Sequence, residues 1–385
     1  MFVPLFRPSL GEEELDALRA VFASGWIGLG PRTQQFEEEI ARYLGVRYAV
    51  GLNSATAALH LALATLGVGE GDEVLLPSLT FVSTAHAVRY TGATPVFVDV
   101  DEKTLNLDAE DLDRKATPRS KAVVAVHYGG DPCDMGAVLE VARRRGLLVV
   151  EDAAHAMGTQ VDARGRKAGS LGDAGCFSFH AVKNLATGDG GMLVTDREDV
   201  WRHARRLRWM GIDKDTWDRT EDAEEKARTG VRRYAGYHWY YEVAELGFKC
   251  HMNDITAAIG LVQLAKLDAA NERRRVIRSR YDRAFAGLPG LQTPAPQPFP
   301  SATHNYVVRL DRRDDLNVHL RDRRIASGVH YLPVHLQPYY RDRYAAHVPV
   351  TEEVWKRLLT LPMYPDLSDE DLQRVIDAVL EFCAA

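Results

Sequence analysis

From Tyr48 to about Asp196, short β-branched and apolar runs alternate with stretches of helical period. That alternation predicts a parallel sheet wrapped by crossover helices. The predicted strands are Tyr48–Leu52, Glu73–Leu76, Pro95–Val98, Ala122–Val126, Leu147–Glu151, Cys176–Phe179 and Met192–Thr195. Several are apolar at nearly every position, as strands covered on both faces are. Between them Thr56–Leu66, Thr80–Thr91 and Met135–Arg145 carry the helical period. Upstream, Pro8-Ser9-Leu10-Gly11 followed by Glu12, Glu13 and Glu14 reads as an N-cap leading into an acidic first turn.

Beyond this region the pattern changes. Gly211 to Glu242 is dense in charge, Trp and Tyr, with little periodicity until Trp239-Tyr240-Tyr241-Glu242, and reads as a long excursion or lid. A strongly helical stretch then runs from Asn253 to Leu288, followed by a proline-rich joint, Pro289 to Pro300. The rest predicts a smaller α+β portion with a strand at Asn305–Leu310 and a closing helix at Ser368–Phe382, capped by Ser368. The expected division is a large α/β domain over residues 1–250 and a C-terminal α+β domain over 251–385.

Composition narrows the class. With 46% hydrophobic residues over 385 positions, the chain is neither disordered nor confined to one simple core. Apolar runs such as Lys121 to Val126 and Leu147 to Val150 fall far short of the roughly 18 to 20 residues of a spanning helix. No cationic segment with an apolar stretch marks the N-terminus for export, so a cytoplasmic location is expected. A net charge of −6 disfavours a nucleic-acid partner. The one basic run, Arg273-Arg274-Arg275, lies in a predicted helix and reads as a solvated face. Cys133, Cys176, Cys250 and Cys383 form no CxxC pair and are expected to be reduced and buried.

The chemistry concentrates in two segments. Leu147-Leu-Val-Val-Glu151-Asp152-Ala-Ala-His155 sets an acid at the C-terminal end of a buried strand, the rim where open α/β sheets bind ligands. A helix cap or a salt bridge is the competing explanation for Asp152. Lys183 sits among apolar and aromatic residues, just before a turn with Gly188, Gly190 and Gly191, where backbone can approach a ligand closely. A desolvated amine there has a lowered pKa and attacks carbonyls. A lysine beside glycines is ordinarily a surface lysine. A strand-end aspartate 31 residues upstream changes that, because the pair meets the two needs of pyridoxal 5'-phosphate (PLP): an amine for its aldehyde and a carboxylate for its ring nitrogen.

Two further demands of that cofactor are met. Asn53-Ser54-Ala55-Thr56-Ala57 joins a strand to a helix, so its N–H groups can hold a phosphate, with ordinary capping as the alternative. Ser178, five residues before Lys183, offers a hydroxyl. Phe81 is an aromatic positioned to stack on a ring or to fill the core. Gly67-Val-Gly69-Glu-Gly71-Asp72 fails as a dinucleotide fingerprint, since the glycines follow a helix and precede a strand.

These motifs, with Gly25-Trp26-Ile27-Gly28-Leu29-Gly30-Pro31 and His330-Tyr331-Leu-Pro-Val-His335, resemble the DegT/StrS group of sugar-nucleotide aminotransferases over most of the chain. The resemblance implies the PLP-dependent transferase fold of the aspartate aminotransferase type, with a mostly parallel seven-stranded sheet. It implies that Lys183 holds the cofactor, that Asp152 pairs with the ring nitrogen and that Phe81 stacks on the ring. Ser54, Ala55, Thr56 and Ser178 would hold the phosphate, and His155 would lie near the 3-oxygen. One departure stands out. Where many members read Gly-Phe-Asn-Tyr-Arg-Met, this chain has Gly247-Phe248-Lys249-Cys250-His251-Met252. In relatives the Asn reaches the phosphate in the neighbouring subunit of a homodimer with shared sites, and Lys249 could do so as a cation.

The implied reaction takes an amino group from L-glutamate to a nucleotide sugar, by resemblance a dTDP-linked 4-keto-6-deoxyhexose, with amination at C3 as the rival. Trp26, Ile27, His330 and Tyr331 are the expected substrate contacts. For His330 and His335 a loop histidine or a core hydrogen-bonder is the competing explanation, and no compact ligand set supports a metal. An intact Lys183 argues against the family's dehydratases, which replace it with histidine, and against a non-enzymatic sensor.

Overall fold

The computed structural model describes residues 2–212 and 241–385. Most of the excursion predicted from Gly211 to Glu242, including Trp239 and Tyr240, lies outside the described residues.

Seven strands form the central sheet: β1 (Tyr48–Leu52), β2 (Glu73–Pro77), β3 (Thr94–Val98), β4 (Ser120–Val126), β5 (Leu148–Asp152), β6 (Ala174–Ser178) and β7 (Gly191–Thr195). Their order is β1-β7-β6-β5-β4-β2-β3. All seven predicted strands are present, the first with the predicted ends and the others with one or both ends shifted by at most two residues. The β5 boundary matters most: it runs through Asp152, whose Cα pairs with Val126 on one side and Cys176 on the other. β7 runs antiparallel to both β1 and β6. The other six strands therefore point the same way and end along one edge.

The sheet is covered on both faces because its residues alternate. Val74 and Leu76 pack with helix α3 (Ala55–Thr65) and helix α4 (Val82–Tyr90) on one face, where Val50, Val124, Val150, Cys176 and Leu193 join them. Leu75 points to the other face and meets Val123, Ala125 and Val149 beneath helix α6 (Met135–Arg145). Helix α3 buries Ala58, Leu59, Leu61, Ala62 and Leu63. Burying five apolar side chains at about 1–3 kcal/mol each makes this crossover one of the main anchors of the strand edge.

A second core lies around the hairpin of β8 (Tyr306–Arg309) and β9 (Leu358–Leu361), which pair antiparallel. The sequence pattern had indicated only the first of these strands. The 32-residue helix at Asp254–Phe285 spans both cores. Its first half packs Ala257 and Leu267 with Phe36, and its second half packs Ile277, Tyr281 and Phe285 with Tyr306 and Leu359. Gly260 lets the helix approach, since a Cβ there would lie 2.6 Å from the Phe36 ring.

Some expectations hold and others need correction. The first helix is as expected, beginning at Glu12 after the Gly11 cap with Glu12, Glu13 and Glu14 in its first turn. The closing helix does start after Ser368, which caps it, and runs from Asp369 to Ala384. Cys133 and Cys176 are buried, whereas Cys250 and Cys383 are only half-buried. The triplet Arg273-Arg274-Arg275 is not a uniformly solvated face: helical phase turns Arg274 inward, and it is 2% exposed.

One buried carboxylate ties the N-terminal segment to the start of the 32-residue helix. Asp254 Oδ1 accepts from the Gly30 and Thr33 N–H groups at 3.0 and 2.9 Å, and its Oδ2 accepts from the Arg32 N–H at 3.0 Å. It thereby caps the helix at Pro31–Leu44 from outside that helix. Asp254→Ala is expected to destabilise the protein by about 3 kcal/mol, because it leaves these donors without an acceptor. The midpoint of urea unfolding measures the effect.

Candidate active site

Where the six co-directed strands end, the loops enclose a cavity of about 340 Å³. Asp152 is carried there by the last position of β5, Ser178 by the last position of β6, and His127 by the residue after β4. Ser54, Ala55 and Thr56 reach it from the turn after β1, Thr80 and Phe81 from the loop after β2, and Lys183 from the turn before β7. His155, His304, His330 and Tyr331 complete the wall. Parallel strands make this convergence a consequence of topology.

Asp152 and Lys183 face each other electrostatically. Asp152 is 6% exposed, accepts the Thr84 hydroxyl at 2.8 Å and the Ala154 N–H at 3.2 Å. Burial pushes its pKa up, and these donors together with Lys183 only partly offset that. Burial also lowers the Lys183 pKa, to about 8, against the opposing pull of Asp152. His155 and His304 are held well below their ordinary range by burial, and His330 is lowered to about 4. Those three histidines are therefore neutral at pH 7, and Asp152 and Lys183 stand as the buried acid and base of the wall.

Ser54 caps α3, its hydroxyl accepting the Ala57 N–H at 3.2 Å. The Ala55 and Thr56 N–H groups lie in the first turn, where no intrahelical acceptor exists, so they and the helix dipole face the cavity as an anion cradle. The Thr56 hydroxyl donates to Ser83 Oγ at 2.9 Å. Gly191 keeps the cradle close to the sheet. A Cβ there would collide with the Ser54 carbonyl carbon and the Ala55 nitrogen.

Phe81 lies just before α4, is 55% exposed, and its ring centroid is 5.7 Å from that of Tyr331. Tyr331 Oη lies 3.1 Å from His155 Nε2. His330 lines the cavity with Nδ1 2.7 Å from Thr360 Oγ1. His335 is a core hydrogen-bonder, with Nδ1 2.6 Å from Ser78 Oγ.

Three predicted residues do not line this cavity. Trp26 and Ile27 sit between the first two helices, where the Trp26 indole donates to the Leu29 carbonyl at 3.1 Å and Ile27 is exposed. Lys249 is exposed, with Nζ 3.3 Å from the centroid of the Trp209 ring.

Other wall residues escaped the sequence reading. His127 Nδ1 accepts the Cys133 N–H at 3.1 Å, so Nε2 carries the proton and donates to Glu151 at 2.9 Å. Its signal was available, since it follows a strand end as Asp152 ends one. His304 lies 4.5 Å from His155, centroid to centroid, and stacks on Phe6. No local pattern marks that contact.

With this geometry the comparisons with known proteins are specific. The model of the DegT/DnrJ/EryC1/StrS aminotransferase family matches residues 8–380. The chain belongs to this family. It is 45% identical to the spore coat polysaccharide biosynthesis protein SpsC of Bacillus subtilis, an alignment covering 98% of this chain and 96% of SpsC. Among solved structures, the aminotransferase TlmJ from Streptoalloteichus hindustanus superposes with a TM-score of 0.90 at 40% identity, covering 100% of this chain and 99% of TlmJ. Spr1654 of Streptococcus pneumoniae in its PLP form superposes with a TM-score of 0.89 at 30% identity, covering 100% of this chain and 99% of that one. DegT/DnrJ/EryC1/StrS enzymes are PLP-dependent sugar aminotransferases, and this member is one. The fold is accordingly the PLP-dependent transferase fold that the resemblance implied.

The residues present fit the cofactor. His155 Nδ1 is buried without a hydrogen-bond partner among the described residues, Asp152 is a buried carboxyl lacking a full counter-charge, and the α3 cradle offers free N–H groups. Only the neutral amine of Lys183 attacks an aldehyde, and that form reaches half its maximum near pH 8. In cofactor-free protein, borohydride-trapped PLP at Lys183 should therefore form at a rate that rises with pH and levels off above about 8. An ordinary lysine would keep accelerating toward about 10.4, and peptide mass spectrometry after trapping separates the two profiles.

Proposed function

We propose that this aminotransferase moves the amino group of L-glutamate to a nucleoside-diphosphate 4-keto-6-deoxyhexose, dTDP-linked, yielding a 4-amino sugar nucleotide. The observation that carries the reading is one cavity holding a lysine of lowered pKa, a buried strand-end carboxylate and a helix-terminal anion cradle. The name of SpsC, a polysaccharide biosynthesis protein, supports a sugar acceptor and a surface-polysaccharide setting.

PLP supplies an electron sink for the carbanion formed at the donor's α-carbon. Each residue then has a defined task. Lys183 Nζ first holds the cofactor and afterwards takes and returns the proton at the substrate carbon, a role suited to an amine with a pKa of about 8. Asp152 presents its carboxylate to the ring nitrogen, with Thr84 fixing its orientation. Ser54, Ala55, Thr56 and Ser178 bind the phosphate dianion, His155 offers its unpartnered nitrogen to the 3-oxygen, and Phe81 covers the ring. His330 and Tyr331 flank the sugar.

In this reading the enzyme is a homodimer with shared sites. Lys249, Trp26 and Ile27 lie outside their own chain's cavity and would serve the partner's, Lys249 toward the phosphate and the other two toward the sugar.

Three outcomes are expected. With glutamate as donor and a panel of 3-keto and 4-keto nucleotide sugars, 2-oxoglutarate should appear with a 4-keto dTDP-sugar. Release with 3-keto sugars alone would overturn the position of amination, and release with none would overturn the reaction. Asp152→Asn should retain PLP yet lower kcat at least about 100-fold, with a much smaller effect on KM. Lys249→Ala should speed loss of PLP on dialysis, and a fully active monomer would contradict the shared site.

A further inference from the structure

Beside the turn that carries Lys183 is a second cavity of about 40 Å³. Arg7, Lys183, Lys266 and Arg274 are the cations of its wall, with Ser9, Asn184 and Gln263 as its uncharged polar residues, and no acidic residue lines it. Arg274 is 2% exposed, and its Nε and Nη1 are buried without a hydrogen-bond partner among the described residues. Its surroundings do not answer it. The Lys266 ammonium is held by Glu14 at 2.8 Å and Glu13 at 3.1 Å. Gln263 Nε2 donates to the Ser9 carbonyl and to Glu14, and Asn184 Nδ2 donates to Asn271 and the Ala302 carbonyl. Asp366 acts on Arg274 only through its charge and accepts the Ser9 hydroxyl.

Two guanidinium nitrogens taken out of water without an acceptor are unusual, because each unmet N–H costs its full desolvation. Burial lowers the Arg274 pKa to about 10, so it remains a cation at pH 7. The cavity has room for a small inorganic ion beside this cation. We infer that it is a binding site for a small inorganic anion, with chloride as the probe, held by the Arg274 guanidinium.

The site bears on the neighbouring chemistry. Its wall shares Lys183 with the larger cavity, and the charge of Arg274 helps to keep His304 neutral. An anion beside Arg274 offsets that positive potential and favours the ammonium form of Lys183. This second part rests on the role assigned to Lys183. Binding itself does not.

The experiment uses the PLP-loaded protein with sodium gluconate replaced by sodium chloride or bromide at constant ionic strength. The melting temperature should rise and saturate with chloride in the wild type and stay flat in Arg274→Met. Crystals grown with bromide should show an anomalous peak beside Arg274. A chloride-independent melting temperature together with a water and no bromide peak would overturn the site. Should Arg274→Met fail to fold, Arg274→Lys, which keeps the charge and loses the fork, and the wild-type bromide map still decide. In cofactor-free protein the trapping profile of Lys183 should shift to higher pH with chloride, and an unmoved profile would overturn the coupling. Melting and bromide binding require no turnover, so their failure leaves the aminotransferase reading intact, and a failed sugar assay leaves the anion site intact.

Discussion

A carboxylate buried at the end of a central strand is costly unless something positive meets it, and the geometry of this protein is arranged around that demand at Asp152. Burial pushes the carboxyl toward its neutral form, while Thr84, the Ala154 N–H and the nearby Lys183 pull it back only in part. The same withdrawal from water lowers the Lys183 pKa to about 8. One desolvated space therefore produces both halves of the chemistry, a carboxylate in want of a cationic ring nitrogen and an amine ready to be neutral.

Keeping that space dry and in register is the work of the sheet. Asp152, Ser178 and the Ser54 turn converge because six strands end along one edge. Behind Asp152, Glu151 accepts N–H groups from Gly169, Leu171 and Gly172 as well as the His127 imidazole. These bonds hold Glu151 ionised despite complete burial, so the strand end that presents Asp152 is pinned from the opposite face. Further out, the helix at Asp254–Phe285 locks the N-terminal segment to both cores, and Arg274 on that helix brings a buried positive charge up behind the lysine turn.

Much of this was legible in the linear pattern, for a local reason. Apolar runs about five residues long, separated by helical periods and glycine turns, leave few alternatives to a parallel sheet, so Asp152 could be assigned to a strand end from the linear pattern. Lys183 was legible because its glycine-rich turn is a short-range feature. Thr84, one turn into the helix after Phe81, and His127, immediately after a strand, followed the same rules and were within reach. Phe6, His304 and the strand at Leu358–Leu361 were not, because each acquires its role only from a partner remote in the chain.

The sequence by itself determined the order of the elements, the candidate lysine and carboxylate, and the cofactor class they imply, since these depend on residue type and spacing along one segment. Only the tertiary structure decided which face of a helix is buried, as with Arg274 against its half-buried neighbours Arg273 and Arg275, and which distant loops share a wall, as with His155, His304 and Tyr331. It also separated residues that had been grouped together, setting Trp26, Ile27 and Lys249 apart from the cavity of their own chain. Burial and contact are properties of how several segments pack at once, and the resulting desolvation, which moves the pKa of Lys183, is not encoded in any one of them.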